Sequence, residues 1–189
     1  MYHISIEGMD GVGKSTTCKL LAQKLGYKFV EKPLHYLFDS SEDTFSEYLR
    51  IRDSVNKNPN RIFTSMFYGL GSIYMYERFK NENIVTDRHL ASNYAWSGSN
   101  NNEEVYRLLI DKLGVPKLTV ILYAPGDVII NRLISRDKND KDIVRLSESE
   151  NIYKKMVLFC ESYKLPFIKI DTSNLTPEEI VSKIMEILE

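Results

Sequence analysis

The sequence predicts an α/β fold, a five-stranded parallel sheet with helices on both faces. Three observations carry that expectation. Segments patterned as strands alternate along the chain with segments of helical spacing. Lys117–Tyr123 (KLTVILY) is a nearly continuous apolar, β-rich run, as a strand buried on both faces requires. A glycine-rich turn joins the first strand to the first helix.

Taken in order, Tyr2–Glu7 alternates and ends at Gly8, a buried strand. Lys14–Leu25 sets Cys18, Leu21 and Leu25 at helical spacing, with Gly26 where a C-cap belongs. Tyr27–Val30 is a second strand, stopped before Pro33. Residues 43–57 and 61–81 are helical, separated by the breaker Asn58-Pro59-Asn60. Asn83–Asp87 is the third strand and Glu103–Leu113 a helix closed by Gly114. After the fourth strand, Asp127–Ser135 is helical, and the polar run 137–145 (DKNDKDIVR) is a loop. Ser147–Tyr163 is helical, Phe167–Ile170 the fifth strand, and Pro177–Leu188 a last helix behind a Thr176 N-cap. There is no repeat, low-complexity stretch or linker, so one domain over 1–189 is expected.

With 189 residues, 43% of them hydrophobic, the chain can bury a sizeable core. Its 25 basic and 26 acidic residues balance to a net charge of -1, which argues against a nucleic-acid polymer as partner. Cys18 and Cys160 lie inside helical patterns without metal-ligand spacing, so buried thiols in a reducing cytoplasm are expected. No apolar run is long enough to span a bilayer, and no membrane partner is expected.

The sharpest motif is Gly8-Met9-Asp10-Gly11-Val12-Gly13-Lys14-Ser15, which fits G-x-x-x-x-G-K-[ST]. Glycines let successive backbone N–H groups turn inward around phosphate oxygens. The helix that follows aims its positive end at the same anion. Lys14 adds a charge toward the β- and γ-phosphates, and the Ser15 hydroxyl can ligate Mg²⁺. The motif stands between a strand and a helix, as this chemistry demands.

Three classes of P-loop protein compete. A GTPase switch needs a guanine-reading Asn-Lys-x-Asp, and Asn56-Lys57-Asn58-Pro59 lacks the aspartate. A motor or transporter ATPase ends a strand in Asp-Glu to polarise water, whereas the third strand here runs into Asp87-Arg88-His89. An arginine there suits an acceptor anion. A small kinase also needs an arginine-bearing lid, and Arg132, Arg136 and Arg145 fall within 132–145. A solvated helix face is the other account of those arginines, given Asp137, Asp140 and Asp142 among them.

These residues resemble the thymidylate kinase family of nucleoside monophosphate kinases. Ile6–Thr16 is similar to the family's first strand and loop, and Asp87-Arg88-His89-Leu90-Ala91-Ser92-Asn93-Tyr94-Ala95-Trp96 to its Asp-Arg-(Tyr/His)-x-x-Ser-x-x-Ala-aromatic segment. Val115-Pro116-Lys117, Asn131-Arg132-Leu133 and Ile170-Asp171-Thr172-Ser173 also fit. The resemblance implies a P-loop kinase fold with a lid at about 133–146, and ATP and Mg²⁺ as cofactors. It implies that Gly8, Asp10, Gly11, Val12, Gly13, Lys14, Ser15 and Thr16 hold the donor phosphates, with Arg132 and Thr172 on the adenine side. Ser15 and Asp87 would serve the metal. Lys14, Arg88, Arg136 and Asp10 would be catalytic: Arg88 bridges acceptor and γ-phosphates, Arg136 comes from the lid, and Asp10 accepts from the acceptor sugar 3′-hydroxyl. Phe67 would stack on the acceptor base with Trp96 beside it, Ser92 lying in the same segment; core packing is the other reading of both aromatics. The family also implies a homodimer joined through helices, for which Met66–Met75 offers an apolar face or, equally, core.

Two departures touch the acceptor side. Where the family has Arg-Glu-Pro after the second strand, this chain has Glu31-Lys32-Pro33. Where the family reads the thymine edge with an arginine, four residues after the stacking phenylalanine, this chain has Gly71. Lysine cannot reproduce bidentate recognition. The expected activity is therefore transfer from ATP to a dTMP-like monophosphate. Two alternatives stay open: a deoxynucleoside kinase in which Glu31 activates the 5′-hydroxyl, and a non-catalytic nucleotide-binding protein.

Overall fold

A computed structural model describes residues 1–37, 42–137 and 147–188, with backbone alone for 42–44. Strands β1 (His3–Glu7), β2 (Lys28–Glu31), β3 (Ile84–Asp87), β4 (Leu118–Tyr123) and β5 (Phe167–Asp171) form one sheet in the order β2-β3-β1-β4-β5. Every pairing is parallel. The helices are α1 (Lys14–Leu25), α2 (Glu42–Asn56), α3 (Arg61–Arg78), α4 (Leu90–Ser97), α5 (Glu103–Leu113), α6 (Gly126–Arg136), α7 (Ser149–Ser162) and α8 (Pro177–Leu188). The expected strands and helices are all present: α1, α5 and α8 have the expected bounds, and the other ends shift by at most three residues. Helix α4 and the 3₁₀ turns Pro33–Leu37 and Asn100–Asn102 are additions.

The caps explain most of the boundaries. Gly26 ends α1 in a left-handed conformation, its N–H donating to the Ala22 and Gln23 carbonyls. Asn60 opens α3 by accepting from the Ile62 and Phe63 amides. At α8 the Thr176 hydroxyl accepts from the Glu179 amide at 3.2 Å, and the Glu179 carboxylate accepts from the Thr176 amide at 2.8 Å, a complete capping box.

Alternation in β1 means something other than one wet face. All five residues are buried, because β1 is the central strand. Its polar members His3 and Ser5 are satisfied inside. His3 Nδ1 pairs with Tyr76 Oη at 2.7 Å and His3 Nε2 with Thr86 Oγ1 at 2.9 Å. Ser5 Oγ donates to Thr119 Oγ1 at 3.3 Å. Glu7 points at α4.

Helix α3 is built the other way round. Its inner face is small (Thr64, Ser65, Gly69, Gly71 and Ser72, with Met75), while Ile62, Phe63, Met66, Leu70 and Ile73 are 46–51% exposed. Small residues let neighbours come close: a Cβ at Gly69 would lie 2.9 Å from Leu109 Cδ1 on α5, and one at Gly71 3.2 Å from Leu34 Cγ. Of the Met66–Met75 stretch, then, Met75 is core and Met66 is surface.

Candidate active site

Leaving β1 the chain moves toward the β2 edge, and leaving β3 it crosses to β4, although β1 and β3 are neighbours. Such a reversal opens a crevice at the carboxyl ends of the strands. The register brings three carboxylates to that end: Ile6 pairs with Asp87, Asp87 with Glu31, and Glu7 follows Ile6.

The glycine-rich turn sits in this crevice. Gly8 has φ 141°, and a Cβ there would lie 2.3 Å from the Leu122 carbonyl oxygen, so no side chain fits. Gly13 (φ 93°) is the N-cap of α1 and supplies no side-chain cap, and around its Cβ position nothing lies within 4 Å. An anion at that point would meet the positive end of α1. A cleft of about 320 Å³ runs alongside, lined by Ser15, Thr16, Lys19, Leu20, Gln23 and Glu178.

Charges from two strand ends converge on the turn. Lys14 is buried and donates to the Met9 carbonyl at 2.7 Å and to Asp10 Oδ1 at 3.4 Å. Arg88 Nη2 donates to the same Asp10 oxygen at 2.9 Å, and Arg88 Nη1 to Ser92 Oγ at 3.4 Å. Burial alone would raise the Asp10 carboxyl, but Arg88 and Lys14 outweigh it and hold Asp10 well below the usual carboxylate range. Burial and Arg88 lower the Lys14 ammonium, which Asp10 and Asp87 partly restore. Arg88 itself has φ 75°, a left-handed backbone that costs a non-glycine residue about 1 kcal/mol or more.

Ser15 Oγ donates to Asp87 Oδ2 at 2.5 Å, so the two expected metal donors share one spot. They fit a hard divalent cation that arrives with a polyphosphate and keeps part of its water. Among the described residues no group of three or more His, Cys, Asp or Glu forms a protein-only cage.

Arg132 and Thr172, expected on the adenine side, meet. Arg132 donates to Thr172 Oγ1 at 3.0 Å and to the Thr172 carbonyl at 2.6 Å, fixing the guanidinium against the loop between β5 and α8. Arg136, the last residue of α6, is exposed. Arg145, Asp140, Asp142 and most of the expected lid lie outside the described residues.

The residues expected on the acceptor side are more aromatic. Phe67 is half-buried and stacks on Tyr48, with centroids 6.4 Å apart and planes 9° apart. Trp96, on α4, is half-buried and packs against the main core. Glu31 and Lys32 pair with each other at 3.0 Å, both about one-third exposed, and Lys32 has φ 43°. Gly71 is closed off by Leu34 and Pro33.

Two further residues at the site receive no role from the sequence. Glu7 lies beneath Ser92 and is fully buried. Tyr153, on α7, accepts from the Met9 amide at 3.3 Å across 144 residues of sequence, and burial pushes its phenol up to about 12. Helical spacing makes Tyr153 look like any core aromatic. The polar Glu7 on a central strand was the readable signal.

A phosphate-gripping turn on a parallel sheet, crossed by an aspartate-held arginine from the neighbouring strand, defines a P-loop phosphotransferase. The chain belongs to the thymidylate kinase family, whose model matches residues 6–184. It is a nucleotide kinase. A thymidylate kinase of Mesomycoplasma hyopneumoniae is 27% identical over 204 residues, covering 98% of this chain and 95% of the relative. A Thermococcus gammatolerans protein with a provisional adenylate kinase name is 28% identical over 188 residues, covering 98% and 85%. Among solved structures, a thymidylate kinase from Candida albicans superposes with a TM-score of 0.68 at 16% identity, covering 99% of this chain and 90% of that one. The deoxyadenosine kinase of M. mycoides with bound dATP gives 0.62 at 20%, covering 98% of each. Both structures share the fold.

Proposed function

We propose that this chain transfers the γ-phosphoryl group of MgATP to a nucleoside monophosphate, with dTMP the first candidate. The observation that carries the reading is the Lys14–Asp10–Arg88 cluster, which sets an arginine from β3 at the mouth of the donor loop. Phosphoryl transfer asks for positioning and charge stabilisation more than covalent chemistry. Lys14 and the loop from Gly8 to Thr16 take the donor phosphates. Ser15 and Asp87 would hold Mg²⁺, which would supply positive charge to offset that of the donor phosphates. Arg132 and Thr172 flank the adenine. Arg88 spans acceptor and γ-phosphates, and Asp10 accepts from the acceptor sugar while holding Arg88. Ser92, Phe67 and Trp96 border the acceptor, and Arg136 closes in with the lid at about 133–146, in one kinase unit spanning 1–189.

The reading is tested by ADP release from MgATP across a panel of nucleosides and monophosphates, at matched concentrations. Release that depends on a monophosphate, with dTMP in the leading group, is the expected result. Release with nucleosides alone overturns it in favour of the second reading, a nucleoside kinase with Glu31 as base. That second reading is favoured by two acceptor-side facts: Lys32 is neutralised by Glu31, and Gly71 offers no side chain to read a pyrimidine edge. The names of the relatives divide the same way, between thymidylate, adenylate and deoxyadenosine kinases.

The protein is further proposed to work as a homodimer through the outer stripe of α3, where Ile62, Phe63, Met66, Leu70 and Ile73 stand together. Among the described residues no helix is long and apolar enough to cross a membrane, and a cytoplasmic setting goes with the reading.

A further inference from the structure

Glu7 is a carboxylate with no exposure, at the last position of the central strand, in a place where the proposed chemistry assigns it nothing. A buried carboxylate is costly unless its partners repay the lost water. Here repayment is incomplete. Glu7 Oε2 accepts from the Ser92 hydroxyl at 2.5 Å and from the Ser92 amide at 3.2 Å, but among the described residues Oε1 has no hydrogen-bond partner. Burial pushes the Glu7 carboxyl up, while Ser92, the Arg88 charge and the amides of His89 and Ser92 pull it back only in part. On stability alone an apolar residue or an amide would serve at least as well.

What the carboxylate does is visible in the order of contacts. Helix α4 starts at Leu90, and its N-cap, His89, makes no side-chain cap bond. Glu7 supplies the cap from the neighbouring strand by taking the Ser92 amide. With its proton committed to Glu7, the Ser92 hydroxyl turns its lone pairs outward, and Arg88 Nη1 donates to it at 3.4 Å. The other end of the fork is held by Asp10. Arg88 is thereby clamped at two points despite its unfavourable backbone.

We infer that Glu7 is a positioning residue: through Ser92 it fixes the guanidinium of Arg88 at the angle needed to span the two phosphates. Glu7 touches no reacting atom in this scheme. The inference deepens the proposed phosphotransfer site and rests on it for its catalytic consequence, but the geometry of Arg88 can be measured without any acceptor.

The test compares wild type with Glu7→Gln and Ser92→Ala. Gln keeps an acceptor for Ser92 and removes the charge; Ala removes the relay. With the best acceptor from the panel, kcat is expected to fall about tenfold or more in both variants, while KM for ATP stays within about twofold. Ser92→Thr, which restores the hydroxyl, recovers most of the loss. The melting temperature of Glu7→Gln at pH 8 is expected to equal or exceed that of wild type, because a carboxyl raised by burial gives up stability as pH climbs above its unfolded value. Nitrogen-15 NMR of the arginine Nε–H groups supplies the independent readout. In the wild-type ADP complex Arg88 gives a resolved, slowly exchanging signal, which broadens or collapses in Glu7→Gln and Ser92→Ala. An Arg88 signal unchanged in both variants overturns the inference whatever the activity shows. A wild type that phosphorylates nothing in the panel sinks the proposed function instead, and the NMR comparison still decides the role of Glu7.

Discussion

The proposed donor half and the proposed acceptor half of the site differ in how they are made. The proposed donor half comes from one short stretch, Gly8–Thr16, tied to Asp87 and Arg88 at the end of the adjacent strand; its charges pair with one another, Lys14 buried, Asp10 32% and Arg88 28% exposed. The proposed acceptor half is gathered from β2, the turn Pro33–Leu37, α2, α3 and α4; Glu31, Lys32, Phe67 and Trp96 are partly exposed there, while Ser92 and Gly71 are buried. A polyphosphate is the same in every reaction of this kind, so its cradle can be rigid and local. The acceptor differs between such kinases, and it is on this side that Lys32 and Gly71 depart from the family's pattern.

The sharpest way to break the comparison is at Lys14. Lys14→Ala is expected to lower kcat by about two to three orders of magnitude, as loss of a preorganised charge contact does elsewhere. Asp10 keeps its bond to Arg88, so the fold should survive. If Lys14→Ala and Arg136→Ala both retain near-normal ADP release, the donor half is wrongly assigned. Next is Gly8→Ala. Its Cβ would strike the Leu122 carbonyl, and urea unfolding should show a loss of about 3 kcal/mol or more.

A smaller effect belongs to pH. Burial lowers His89 to about 3, and burial together with His89 lowers His3 well below its ordinary value. Both are lowered in the folded state, so the unfolded chain takes up protons first. Their stabilising effect is complete above pH 6.5 and is lost as pH falls. For His89 alone the loss is about 2 kcal/mol at pH 5. Thermal melts from pH 8 to pH 5 measure it, and His89→Phe, which keeps a ring in the edge-on contact with Tyr76, should flatten the slope. The smallest effect is on the acceptor side. Glu31→Gln frees Lys32, and KM for a monophosphate should drop by about two- to fivefold with kcat kept. A collapse of kcat would mark Glu31 as a base and the acceptor as a nucleoside.

Much of this was legible in the order of residues. The turn Gly8–Ser15, the strands, and the caps at Gly26, Gly114 and Thr176 follow from local chemistry, and local chemistry is what sequence spacing records. Asp87 and Arg88 were legible because a strand end near a P-loop has few other uses for them. Glu7 stood in plain view on a strand read as buried, but its role was hidden because its partner, Ser92, is 85 residues away. Tyr153 was hidden because its partner is 144 residues away. The composition of α3 pointed to core or contact surface alike, and only its packing against Leu109 and Leu34 separates the small inner face from the large outer one.

That outer face ties durability to abundance. If two copies cover the stripe in the folded state and leave it when they unfold, mass action makes the melting temperature climb with protein concentration. A dilute preparation of this kinase would then lose activity on warming sooner than a concentrated one, with every residue of its active centre unaltered.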